Sequence, residues 1–207
     1  MKRLLAISLT AASILIFAPQ AMAAPCCSIG WHWRRTANPF NVTLVLSITT
    51  AWQTPLNAAA NEWSTRSGKF DFVTTPGSTT RSARQNCAMT SGAVHVCNGH
   101  WNAAWAGLTE ARVSGHHILA MRIRLNDAQT PARYRRLVSC HELGHSVGLA
   151  HNTRPSSCMR PGISRPHPDA TDIAELNVIY RHLDGMSPTT ADNSAVRTIR
   201  IAWYAPQ

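Results

Sequence analysis

No CxxC pair occurs in this chain, and no segment beyond residue 23 is long and apolar enough to cross a membrane. The first absence argues against a metal held by cysteines alone. The second argues against a spanning helix in the mature chain, which needs about 20 apolar residues. There is no internal repeat and no low-complexity block, so a single domain is expected. Acidic residues are also few: ten Asp and Glu stand against twenty Lys and Arg, for a net charge of +10. Such a balance raises the question of a polyanionic partner. The arginines are scattered, however, and only Arg133-Tyr134-Arg135-Arg136 is dense. No nucleic-acid motif accompanies them, so nucleic acid is not expected as a partner.

What is present begins with a leader. Lys2 and Arg3 precede a mostly apolar run from Leu4 to Phe17, and Ala21-Met22-Ala23 supplies small residues at cleavage positions. The run is shorter than a bilayer span, and the pattern is that of a secretory signal peptide cut after Ala23. The expected mature chain, residues 24–207, has the length of one domain with its own core. It is expected to be secreted, extracellular and monomeric, with no membrane attachment. Six cysteines remain in it: Cys26, Cys27, Cys87, Cys97, Cys140 and Cys158. An even count in an exported chain points to disulfides, in any of fifteen pairings.

Residues 24–39 read as an irregular arm. Asn41 to Thr50 reads as a strand, with Val42, Leu44, Leu46 and Ile48 on one face. Leu56 to Thr65 reads as a helix burying Leu56, Ala59, Ala60 and Trp63, with Pro55 before it and Gly68 after it. Lys69–Thr74, Ala93–Cys97, Gly107–Val113 and Ile118–Leu125 read as further strands, and residues 75–92 as turns. The last of those strands alternates apolar residues with Arg122 and Arg124. A Cys87–Cys97 bridge would close a short loop. Residues 184–207 hold a polar link and then strand-like alternation from Val196 to Tyr204, either an extra strand or a tail.

Pro131 starts a helix that runs into Cys140-His-Glu-Leu-Gly-His-Ser-Val-Gly-Leu-Ala-His151. Residues four apart on a helix share one face, so the His141 and His145 imidazoles can reach one metal. Glu142 sits beside the first ligand, placed to face water rather than metal. Gly148 lets the helix stop and the chain turn, which returns His151 as a third nitrogen ligand. Three protein ligands leave the fourth zinc position open, the mark of a catalytic site. A second histidine pair, His116-His117, has no acidic residue beside it and reads as an exposed pair rather than a second zinc site.

The stretch from His141 to His151 resembles the metzincin pattern H-E-x-x-H-x-x-G-x-x-H. Ser157-Cys-Met-Arg-Pro161 resembles the methionine turn of that family, in the form of its matrixin branch. Asp172 to Tyr180 resembles the last matrixin helix, with Ile173, Leu176, Ile179 and Leu183 as its buried stripe. The resemblance implies an α+β, zincin-like fold: a twisted mixed sheet of about five strands with three main helices, stapled by disulfides. It implies a zinc-dependent endopeptidase acting on peptide or protein substrates with one catalytic zinc ion. His141, His145 and His151 would hold the metal, Glu142 would serve as general base and acid toward a zinc-activated water, and Met159 would pack beneath the metal. An extended substrate would pair with an edge strand near the metal, for which Gly107–Val113 is the candidate. With so few acidic residues, calcium sites do not carry over. No cysteine-switch motif is visible between the leader and the first strand. Cys140 directly precedes the first ligand and Cys158 precedes Met159, so a bridge between them would tie the active-site helix to the methionine turn, worth about 3 kcal/mol. The competing class is a zinc-containing binding module or toxin that recognises an anionic partner.

Overall fold

The computed structural model describes residues 27–185 and 195–204. The expected leader, Cys26 and residues 186–194 lie outside the described residues. In chain order the elements are β1 (His32–Trp33), β2 (Phe40–Ser47), α1 (Thr50–Ser67), β3 (Phe70–Pro76), α2 (Arg81–Asn86), β4 (Thr90–Ser91), β5 (Ala93–Gly99), β6 (Trp105–Ser114), β7 (His117–Asn126), α3 (Arg135–Ser146), α4 (Ala170–Ile179) and β8 (Arg197–Tyr204). A short 3-10 turn, Ala132–Tyr134, leads into α3.

One mixed sheet runs in the order β3-β2-β5-β7-β6-β8. β3, β2, β5 and β7 are parallel, whereas β6 is antiparallel to both β7 and β8. The two-residue strands β1 and β4 pair with β7 beside this path. β2, β3, β5, β6 and β7 are the five strands that alternation and apolar runs announce. β8 adds a sixth, and β1 and β4 are too short to show any period. The mixed α+β architecture with α1, α3 and α4 as its main helices is as expected; α2 is a short addition in the stretch read as turns. Its start is capped by Thr80, whose Oγ1 accepts from the Ala83 amide at 3.3 Å.

The helix expected from Leu56 begins earlier, at Thr50, and carries Pro55 inside it. A proline there leaves the carbonyl four residues back without its helical donor. That carbonyl, Ala51 O, accepts instead from Arg135 Nη1 at 3.3 Å. Side chains Trp52, Leu56, Ala59, Ala60 and Trp63 face inward at helical spacing and are buried. Each buried tryptophan removes roughly 150–250 Å² from water, about 4–6 kcal/mol before the cost of ordering it. Their polar ends are satisfied: Trp63 Nε1 donates to Cys140 O at 2.9 Å and Trp52 Nε1 to Asp127 at 2.7 Å. One buried cluster joins Val42, Leu44, Val94, Val96, Met121 and Ile123 of the sheet to α1, to Leu143 of α3 and to Leu176 of α4.

Arg122 and Arg124 lie on the opposite face of β7, as the alternation predicts. They converge, with Arg200 of β8, on the buried Glu110 carboxylate of β6. Burial alone would raise that carboxyl, but hydrogen bonds from Arg122 and Arg200 and the Arg124 charge outweigh it and hold it at about 2.

Two expectations need correction. Leu183 does not extend the stripe of α4: the helix ends at Ile179, and Leu183 is exposed. The Tyr180 ring takes the inward position instead, fully buried against Phe40 and Phe70. The candidate edge strand is not an edge either. β6 is paired along both sides, by β7 and by the chain's own C-terminal strand β8. A local alternation pattern reports that a strand exists, not which strand lies next to it. Among the described residues, no helix is long and apolar enough to cross a membrane.

Candidate metal centre

α3 buries every residue from Leu137 to Ser146. It carries His141 and His145 one turn apart, with their Nε2 atoms 3.0 Å from each other. The helix stops at Ser146, and Gly148 follows with φ +99°. A side chain is unfavourable there twice over, because φ is left-handed and a Cβ would meet Trp31 O at 2.8 Å. The chain turns back, and His151 Nε2 arrives 3.1 Å from His141 Nε2. The three expected ligands are thus brought together.

Their other ring nitrogens are already committed. His141 Nδ1 donates to Cys158 O at 2.6 Å, and His145 Nδ1 to Leu149 O at 2.7 Å. Those bonds fix the tautomer, so that both Nε2 lone pairs point at each other and at His151. Burial pushes the imidazole pKa values down, to about 3 for His145, well below the usual value for His141 and below it for His151. Neutral imidazoles with converging lone pairs are the donor set that zinc takes, and a bound cation resolves their mutual repulsion.

Glu142 is fully buried beside them. Thr109 of β6 donates to its Oε2 at 2.5 Å, and Oε1 has no partner. Burial raises the carboxyl to about 8, and only the Thr109 hydrogen bond works against that. Gly107 of β6 makes the room, since a Cβ built on it would overlap the Glu142 carboxylate. Met159 Sδ packs on Gly144 of α3, where a Cβ would likewise overlap it. Met159 is fully buried.

The Cys140–Cys158 bridge is present and ties α3 to the methionine turn, and Cys87–Cys97 ties the end of α2 to β5. No described cysteine is free. Sequence reasoning missed the supports around this core. Asn152, next to the third histidine, donates to Ser157 Oγ at 2.9 Å and to Asp172 at 2.8 Å. Ser157 donates to Asp172 at 2.7 Å and accepts from the Met159 amide at 2.9 Å. Asp172 therefore anchors both turns, and burial raises its carboxyl to about 6. Its one sequence signal is the capping box it forms with Asp169 at the start of α4. Thr109 and Gly107 carry no such signal. Trp203 of β8 was missed as well: it is 1% exposed, and its ring centroid lies 6.0 Å from that of His141.

A mixed sheet beside a helix bearing this histidine cluster is the arrangement of a zinc-dependent metalloendopeptidase. The matrixin family matches residues 57–181, well over half of the chain, and this chain belongs to that family. A solved structure titled "Structure of myroilysin" is similar with a TM-score of 0.46 and 12% identity, over 75% of this chain and 98% of that one. Membership makes the protein a metalloendopeptidase, implies zinc and implies peptide or protein substrates.

Proposed function

We propose that this chain is a secreted endopeptidase in which His141, His145 and His151 hold one catalytic zinc ion and Glu142 moves the proton. One observation carries the reading: three Nε2 atoms converge beside a buried carboxylate whose Oε1 is unpartnered. Bound zinc would polarise the scissile carbonyl and make water a stronger nucleophile. Glu142 Oε1 takes the proton of the attacking water and later delivers it to the leaving amine. Thr109 holds Oε2 and so keeps Oε1 aimed in one direction. The Cys158 and Leu149 carbonyls orient two of the three imidazoles.

Export is supported by the basic and apolar leader within residues 1–23 and by the disulfides, which persist in oxidising compartments. Residues 24–207 are then the mature enzyme. Glu142→Gln tests the mechanism. The variant is expected to keep its zinc and lose casein hydrolysis, while casein cleavage at the unmutated rate would refute the role given to Glu142. Binding of an anionic partner that survived the substitution in a chain without proteolysis would favour a binding module instead.

A further inference from the structure

His117, which lacks an acidic neighbour in sequence, has one in space. Its Nε2 lies 3.1 Å from Asp184 Oδ1, and His32 Nε2 lies 3.5 Å from the same oxygen. His182 Nε2 approaches that oxygen from the solvent side at 3.6 Å. The ligand-capable atoms of His32, His117 and Asp184 all lie within 4.8 Å of one another. The His32 ring stands 5.0 Å from those of both His117 and His182. One carboxylate oxygen has two lone pairs and cannot accept well from three imidazoles at once. A tetrahedral ion with ligands at 2.0–2.1 Å would instead space its donors about 3.3 Å apart, and the three imidazole nitrogens stand 3.1, 3.5 and 3.6 Å from Asp184 Oδ1.

The rest of the cluster is built to hold that geometry. The Asp184 side chain is 9% exposed and that of His32 12%. Asp184 Oδ2 accepts from the Arg35 amide at 2.8 Å, and the Asp184 amide donates back to Arg35 O at 2.8 Å, leaving Oδ1 free to face the imidazoles. The His32 amide donates to His116 O at 3.0 Å. The Arg35 guanidinium donates to the Tyr180 and His182 carbonyls.

We propose that His32, His117, His182 and Asp184 form a second zinc site, which clamps the N-terminal arm, the β6–β7 turn and the segment after α4 together. Three imidazoles and one carboxylate select zinc over calcium or magnesium, which prefer oxygen ligands. His32, His117 and Asp184 supply three converging ligands, and His182, 3.6 Å from Asp184 Oδ1, is the residue that would fill the fourth position and close the site as a structural one. The clamp bears on the catalytic helix, because Trp33, beside His32, donates its Nε1 to Ser146 O at 2.7 Å. Metal analysis of the full chain after zinc loading and gel filtration tests this. Two zinc ions per chain are expected, falling to one in His117→Gln, one in His145→Gln and none in the double variant. If His117→Gln does not fold, Asp184→Asn carries the same expectation, and zinc-edge anomalous diffraction of the unaltered chain locates the ions directly. One zinc per chain, lost with His145 and kept without His117, would overturn the second site and leave the catalytic reading standing.

A separate observation concerns β8. It pairs with the outer edge of β6 from Trp105 to Val113, where the family resemblance places substrate, and Trp203 stands opposite Gly107. Arg200 anchors it through Glu110 at 2.6 Å. The Trp203 ring lies 6.0 Å from that of His141, and His141 and Glu142 are both fully buried. Resting on the peptidase reading, we infer that β8 occupies the substrate's strand and closes the active centre until it is displaced. Deleting residues 195–207 is expected to raise kcat/KM on a short peptide at least about 10-fold. A synthetic peptide of residues 195–204 should then inhibit the shortened enzyme competitively, and Trp203→Ala should activate the full chain part-way. A folded, zinc-loaded shortened chain with unchanged activity and no inhibition by the peptide would overturn the role of β8 alone. If both chains are folded, loaded and inert, the peptidase reading falls, and this inference with it.

Discussion

The disulfide at the metal centre allows a quantitative test. Cys140 and Cys158 are 18 residues apart in sequence, and both are fully buried. Replacing both by alanine frees that loop in the unfolded chain. In the chain-entropy account this costs about 3 kcal/mol of stability. For a domain of this size, that corresponds to a melting temperature lower by about 6–12 °C. The perturbation should also reach the metal, because the carbonyl that orients His141 belongs to Cys158 itself. Losing the support behind a metal-binding imidazole typically weakens zinc binding about 10–100-fold. Calorimetry of the zinc-loaded and chelator-stripped forms would separate the two effects. The stripped form reports the loop alone, and the difference between the forms reports the metal. A melting temperature within about 2 °C of the unaltered protein, with zinc affinity unchanged, would refute the view that the bridge holds the methionine turn against α3.

Gly107→Ala should cut casein hydrolysis at least about 10-fold while leaving zinc content unchanged, since the three atoms nearest the added Cβ all belong to the Glu142 side chain; full activity would show that Glu142 has room to move. Glu110 predicts an acid-sensitive stability. Its folded pKa is depressed to about 2. The stabilisation is therefore present above its unfolded value near pH 4.5 and is lost as pH falls toward 2. Roughly 2–3 kcal/mol should disappear between pH 6 and pH 2. Urea midpoints should show the gap between the unaltered chain and Glu110→Gln closing over that range, and a gap of constant size would count against the three-arginine cluster as its source.

Much of the site was legible because its ligands are local. His141, Glu142 and His145 fall on one helical face by spacing alone, and Gly148 must be glycine where the chain turns. The five central strands and the buried face of α1 were legible for the same reason, since a period of 2 or 3.6 is written within a few residues. The supports were not legible. Thr109, Gly107 and Asp172 act on residues 15 to 35 positions away; nothing in the neighbourhoods of Thr109 and Gly107 marks them, and the capping box around Asp172 announces a helix start rather than a support for the site. Pro55 misled in the same way: read locally it precedes a helix, whereas it sits inside one, with Ala51 O accepting from the distant Arg135.

By itself, the sequence determined the metal-binding helix, the returning histidine and the family to which the chain belongs. It did so because those features are repeats and spacings along one segment. Tertiary structure alone decided which strand covers β6, which carboxylate faces His32 and His117, and where Trp203 rests. Each of these joins segments roughly 65 to 150 residues apart in sequence, through contacts set by the packing of the whole sheet, and no local pattern records such contacts.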